Sequence, residues 1–368
     1  MKKIFCTFVC SSAFSISAFA TTDHVFTQAQ SLSKNESKLN LDLGVDLVND
    51  TVDLFDIRDS EGVKGDAGDY KGYHLKASYQ VSPLVRLEGA YWQREIEYSN
   101  DSNEIQTPYI ALAFSPSRLQ TDKSAFDIKF SAWANISDRV QKSGTTKIGG
   151  LDASLKNIQV EDIQDTQLQL EGIFSHRIDF MNQINLFGGI GYSKVDVEQV
   201  KFEASHKSLD MNGCSANVTV TSDNRYTAIS TPACNSSFTI IKEGNANEFG
   251  VDIQKDLNYD GYYGVLGGSW NWRYKQFESQ LAYQYQRLWR KDIDDRINQF
   301  GTSPIKDNHT FGAKFSYDFS PNMSVYLQGQ LFQHNLIGYV PFLYNGITAS
   351  RLDKRYGLAS FGIQFKAF

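Results

Sequence analysis

A chain of 368 residues with 41% apolar side chains, a formal charge of −6 and a mean hydropathy of −0.38 has length enough for a large core but no basic excess to bind nucleic acid. Past the N-terminal leader no run of about 18 apolar residues occurs, which excludes a membrane-spanning helix. A membrane is still open to it, because a barrel strand needs only about 9–11 residues and sets its apolar groups at alternate positions.

Few prolines (7) and many aromatics (25 Phe, 19 Tyr, 5 Trp) favour strands over helices. Residues 1–20 hold Lys2-Lys3, an apolar run from Ile4 to Ala18 and Ala18-Phe19-Ala20, the pattern of a cleaved secretory signal. Cys6 and Cys10 leave with it. Cys214 and Cys234 then remain in an exported chain, where one disulfide within a long loop is expected. A paired metal site is the weaker alternative, since no neighbouring His completes a ligand set.

Residues 21–38 read as a short polar periplasmic lead, too small for a plug or a domain. From 39 onwards a single domain of strands is expected. Leu39, Leu41, Leu43, Val45 and Leu47 alternate with Asn40, Asp42, Gly44 and Asp46, one greasy face against one wet face. Tyr73–Val81 repeats the pattern, turns at Ser82-Pro83, and continues from Val85. Ile105–Phe114 ends in Ser115-Pro116, and Phe126–Ile136 follows. A long polar loop, Ser137–Asp162, separates these from Thr166–Phe174 and Gln183–Val200, and a cysteine loop occupies Lys201–Asn245. Phe249, Val251 and Ile253 mark a further strand, then Tyr262–Tyr274, Phe277–Trp289, Phe311–Phe319 and, after Ser320-Pro321, Met323–His334. Arg290–Asn308 and Leu336–Asp353 are long loops.

The closing stretch, Lys354–Phe368, alternates Ala359, Phe361, Ile363 and Phe365 with polar residues and stops on Phe368, one place out of phase with Phe365. It resembles the last strand of Gram-negative outer-membrane β-barrels. The resemblance implies an insertion signal at Phe365 and Phe368 and, as partners, the barrel assembly machinery, outer-membrane lipid and lipopolysaccharide. Short turns alternating with long polar loops fit the same all-β, antiparallel up-and-down architecture. The candidate strands come to an odd number, whereas single-chain barrels have an even one. Asn235–Gly244 as a concealed strand gives fourteen, the preferred count; discarding one candidate near the cysteine loop gives twelve, the alternative.

If apolar faces meet lipid, Asp42, Asp46, Lys76, Arg86, Glu88, Arg94, Asp127, Lys129, Glu171, Asp252, Lys314 and Asp318 line the lumen. Both signs of charge loosely resemble the acidic and basic rows of general porins. The expected function is a porin-like outer-membrane channel for passive diffusion of small hydrophilic solutes. The alternative is a non-conducting surface protein presenting the disulfide loop. Enzymatic chemistry is not expected: Ser175-His176 and Ser205-His206 are adjacent pairs without a surrounding motif. Asp256–Gly261 begins like a calcium loop, but Gly267 stands where the bidentate Glu belongs, so no metal or cofactor is expected. Trp270, Trp272, Tyr274, Tyr283, Tyr285 and Trp289 read as interfacial belts.

Overall fold

The structure is a computed structural model that describes residues 24–29, 38–48, 69–98, 101–142, 146–147, 153–206, 214–232, 234, 239–249, 252–299, 303–333, 341–343 and 355–367. Its strands in chain order are β1 (Leu39–Val48), β2 (Asp69–Ser82), β3 (Val85–Tyr98), β4 (Asp101–Phe114), β5 (Ser124–Lys142), β6 (Thr146–Lys147), β7 (Ala153–Arg177) and β8 (Asn182–His206). They continue as β9 (Ala216–Thr221), β10 (Arg225–Ser230), β11 (Ile241–Asn245), β12 (Tyr259–Tyr274), β13 (Phe277–Arg290), β14 (Asp307–Ser320), β15 (Met323–Gln333) and β16 (Arg355–Ala367).

Twelve of these close a barrel, in the order β1-β2-β3-β4-β5-β7-β8-β12-β13-β14-β15-β16 and back to β1. Every neighbouring pair is antiparallel, and closure leaves no unpaired edge in the wall. Most short turns fall at the end that also holds Leu39 and Ala367; the long connections fall at the other, where two residues also join β3 to β4.

The preferred count of fourteen is therefore corrected to twelve. Within Asn235–Gly244 a strand does form as part of β11, but it pairs with β10 outside the wall. The extra candidate at Phe249–Ile253 is no strand: Ala246–Phe249 is a 3₁₀ turn and Ile253–Asp256 a short α-helix, α1. Its alternation misled because Ile253 is buried by loop packing rather than by a sheet face. Val251 lies outside the described residues.

Two expected loops are also strand. β5 runs to Lys142, and β7 and β8 are each 25 residues long, so residues 137–142 and 153–162 of the first expected loop and residues 201–206 of the cysteine loop extend the wall beyond the span a bilayer requires. β9–β11 add to the projecting part of β8, while β6 pairs with that of β7. Cys214 and Cys234 form a disulfide that closes the base of the β9–β10 hairpin.

The outward face is apolar because the alternating residues demand it: Leu43, Val45 and Leu47 on β1, Leu266 and Trp270 on β12, and Phe311, Phe315 and Phe319 on β14 are all exposed. Tyr262 pairs with Trp289 towards the long-loop end, and Trp270 and Tyr274 lie towards the short-turn end, so two aromatic levels flank the belt. Tyr283 sits between them rather than in either. Phe365 faces outward beside the first strand, paired to Leu41; Phe368 is outside the described residues.

Candidate functional site: the lumen

The wet faces of the strands meet inside the barrel, where charged groups escape lipid but must find partners. Asp42 of β1 accepts from the Tyr326 hydroxyl at 2.8 Å and the Gln364 amide at 2.9 Å, with Lys76 at 3.2 Å. Asp46, two inward positions along past Gly44, lies 3.0 Å from His74 Nδ1, and Ser360 donates to it. Tyr326 can lie flat on the wall because Gly362 is beneath it: a Cβ there would be 2.4 Å from the ring.

A second group runs across β3, β5 and β7. Arg86 reaches Glu88 at 2.9 Å and Asp127 at 4.0 Å, and Ser115 donates to Asp127 at 2.6 Å. Lys129 stands between Glu171 at 3.0 Å and Glu88 at 3.8 Å. Lys314 lies over the Tyr326 ring, 4.1 Å from its centroid. Ten of the twelve residues read as lumen-facing therefore belong to this interior, Arg94 being treated below.

The other two are elsewhere. Asp318 is at the short-turn rim, paired with Arg273. Asp252 is not on a strand; it caps α1, accepting from the Lys255 backbone N–H, with Asn224 donating at 2.9 Å.

Residues His24–Ala29 of the lead lie inside the barrel. His24 Nε2 is 2.6 Å from Glu171 and its Nδ1 2.8 Å from Gln284, and its ring meets Phe187 edge-on at 5.2 Å. Val25 and Phe26 are buried against the wall, where Gly312 leaves the space: a Cβ there would stand 2.6 Å from the Phe26 ring. Gln28 bonds the amides of Gln280 and Gln183, and Ser175 Oγ accepts the Ala29 N–H at 2.9 Å. A lead expected outside the barrel thus supplies an occupant to its lower half. The available signal was His24-Val25-Phe26, an apolar pair beside an imidazole within a polar stretch.

Beside this segment is a cavity of about 440 Å³, lined by Lys76, Arg86, Lys129, Lys314, Asp42 and Glu88 together with His24, Trp92 and Tyr109. Above it, Trp92, Tyr109 and Trp133 from one side of the wall meet Tyr263 and Leu288 from the other, an apolar septum across the lumen. Arg94 is buried just beyond, donating from Nη1 to Thr107 at 2.7 Å, with its guanidinium 5.8 Å from the Trp92 ring. Thr107 passes the chain on to Asn135, and Asn135 to Asp165.

The long-loop mouth is filled by apolar side chains from several connections. Ile253 and Leu257 come from α1 and its end, Ile293 and Ile297 from a second helix, α2 (Ile293–Gln299), and Phe342 from a 3₁₀ turn, Pro341–Leu343. They pack on Val195, Val197 and Ile163 of the wall. Tyr259 donates to Pro341 O at 2.6 Å and the Phe342 N–H to Asp165 at 3.4 Å, fixing the turn across the opening. Arg296 pairs with Asp256, joining α2 to α1. Ser175 and His176 point to opposite faces, Ser175 to Asn185 within and His176 to Ser124, so this pair makes no nucleophile and base. Among the described residues no His, Cys, Asp and Glu group is placed to hold a metal.

No family model matches the sequence, and no curated protein matches it either. Among solved structures it is similar to the CymD monoaromatic hydrocarbon channel, at 11% identity over 96% of this chain and 94% of that one, TM-score 0.39. It is similar also to the translocator domain of autotransporter NalP from Neisseria meningitidis (8% identity, 91% and 90% covered, TM-score 0.43) and to the NanC porin (8%, 89% and 99%, TM-score 0.42). At such scores these likenesses carry no argument about what passes or binds. By its own closed wall, apolar belt and polar interior, the chain has the architecture of an outer-membrane β-barrel.

Proposed function

We propose that this protein is an outer-membrane channel for passive diffusion of small hydrophilic solutes, held narrow by its own lead segment. The observation that carries the reading is the charge-lined cavity of about 440 Å³, which runs from Ser78, Gln364 and Lys366 near the short-turn rim up to Trp92 in mid-barrel. A wall that served only as a scaffold gains nothing from desolvating Lys129, Glu88 and Glu171 there, since buried ion pairs recover their desolvation cost poorly. In the lower half of the lumen, displacing the lead needs only that polar contacts be exchanged for water and back, which changes little net free energy per bond.

The test is conductance in planar bilayers, for the whole chain and for a variant lacking His24–Ala29. Discrete steps from the whole chain, enlarged several-fold in the deletion, are expected. Silence from both at every voltage removes the channel reading.

A second reading has one observation in its favour: the apolar mouth cluster centred on Ile253, Ile293 and Phe342 closes the long-loop end. The barrel would then be a non-conducting base for the projecting sheet β8–β11 and its disulfide. Deleting residues 214–245 should in that case abolish a surface-binding activity and leave the bilayer record unchanged.

A further inference from the structure

We infer that the lumen holds a binding site for a small carboxylate at Arg94, approached through the cavity below Trp92. Arg94 is 1% exposed, and among the described residues its guanidinium has a single hydrogen bond, to the neutral hydroxyl of Thr107. Among the described residues its Nε and Nη2 have no hydrogen-bond partner. A permanently cationic fork buried in this way is costly unless something negative completes it.

Among the described residues, the carboxylates of Asp46 and Asp165 are already engaged. Asp46, two strands along at the same level through Gly72, is taken by His74 and Ser360. Asp165 is taken by Asn135, Gln167 and the Phe342 backbone. Beside Arg94, the indole N–H of Trp92, whose ring lies 5.8 Å from the guanidinium, is also buried without an acceptor among the described residues. Donors without acceptors call for an acceptor-only ligand, and the two free edges of a guanidinium match the planar pair of oxygens on a carboxylate.

The route is matched to the same charge. The cavity wall carries Lys76, Arg86, Lys129, Lys314 and Lys366 against Asp42 and Glu88, so its side chains are cationic in sum. Its volume falls within the range that small ligands occupy. Trp92 lines this cavity and its ring lies 5.8 Å from the Arg94 guanidinium, so the cavity and the site share that side chain. The site rests on the channel reading only for how the anion arrives; occupancy can be measured without conduction.

The experiment is a titration of the full chain in detergent, sodium acetate replacing sodium chloride at constant ionic strength, followed by intrinsic tryptophan fluorescence. Glycerol serves as the uncharged probe. A saturating change with acetate and none with glycerol is expected, weakened about tenfold or more in Arg94→Gln and only partly in Arg94→Lys. An acetate curve that never saturates, that glycerol reproduces, or that Arg94→Gln leaves unmoved overturns the site and leaves water as the partner of Arg94. Should Arg94→Gln fail to form a barrel, calorimetry on the unaltered chain decides: one-site heats with acetate alone sustain the proposal, and their absence ends it. Bilayer conductance is read separately, so a silent channel with bound acetate, or the converse, assigns each failure to its own claim.

Discussion

The two ends of this barrel are filled by different chemistry. At the short-turn end the occupant is a few residues of the lead, held by His24 on Glu171 and Gln284 and by Gln28 and Ala29 on wall amides and a hydroxyl. At the long-loop end it is an apolar cluster of Ile253, Leu257, Ile293, Ile297 and Phe342 gathered from separate connections. Polar contacts are exchanged for water at a net cost of about 0.5–1.5 kcal/mol each, whereas opening an apolar cluster exposes surface at about 25 cal/mol per Å². The lower occupant, which buries only Val25 and Phe26 as larger apolar groups, is therefore the one better suited to leave, and the upper one the one suited to stay.

The largest effect should come from the upper end. Phe342→Ala removes a ring that is 2% exposed, and loss of a buried aromatic costs about 3–5 kcal/mol. Limited proteolysis from the long-loop side should then cut near residues 341–343 and 293–299 while the barrel keeps its heat-modifiable mobility on gels. Unchanged protection would show that the mouth is not held by burial. Next comes the disulfide. Replacing Cys214 and Cys234 with Ser frees the β9–β10 hairpin, worth about 3 kcal/mol for a loop of this length, and should raise proteolysis between them. Barrel mobility should stay unchanged, since the wall closes without β9–β11.

His24→Ala probes the lower end and should do less, because Glu171 keeps Lys129 at 3.0 Å when the imidazole is gone. A loss of about 1–2 kcal/mol corresponds to a factor of about 5–30 in the population of displaced segment. Thiol labelling of Thr27→Cys from the short-turn side measures it, because Thr27 lines the cavity and should react faster by that factor in the His24→Ala background. Equal labelling rates would mean that Val25 and Phe26 against Gly312 hold the segment instead.

This contrast also marks how far the sequence could be read. The wall was legible because a lipid-facing strand leaves no choice at alternate positions: Leu39 to Leu47 and Phe311 to Phe319 show their register outright. The inward set Asp42, Lys76, Glu88 and Lys129 followed from that parity. The fillings were not legible, for opposite reasons. The lead is polar enough to be read as solvated, and nothing local distinguishes bonding to water from bonding to Glu171. The mouth cluster is built of apolar residues spread among charged loops, so Ile253 was absorbed into a false strand. Ile293 and Ile297, four apart, carried a helical signal that the surrounding Asp and Arg residues obscured. Arg94 was placed inside by parity alone; that its guanidinium lacks a carboxylate needed the structure.

The smallest expected effect tests whether the upper end rests on burial alone. Asp252 caps α1, and although burial opposes its ionisation, the bonds from Lys255 and Asn224 outweigh that and hold its carboxyl below the usual range. A carboxylate lowered on folding adds stability above its unfolded range and loses it as pH falls through that range towards the folded value. Asp252→Ala should cost about 1 kcal/mol, as loss of an N-cap does, and should remove the pH dependence with it. Hydrogen-exchange protection of the Asp256 and Leu257 amides, which close on Asp252 and Ile253, reports it directly. Protection should fall in the native chain as pH drops through the carboxylate range and stay level in the variant. Protection that falls equally in both would place the titrating group elsewhere in the mouth, and the polar cap would then add nothing to the apolar seal.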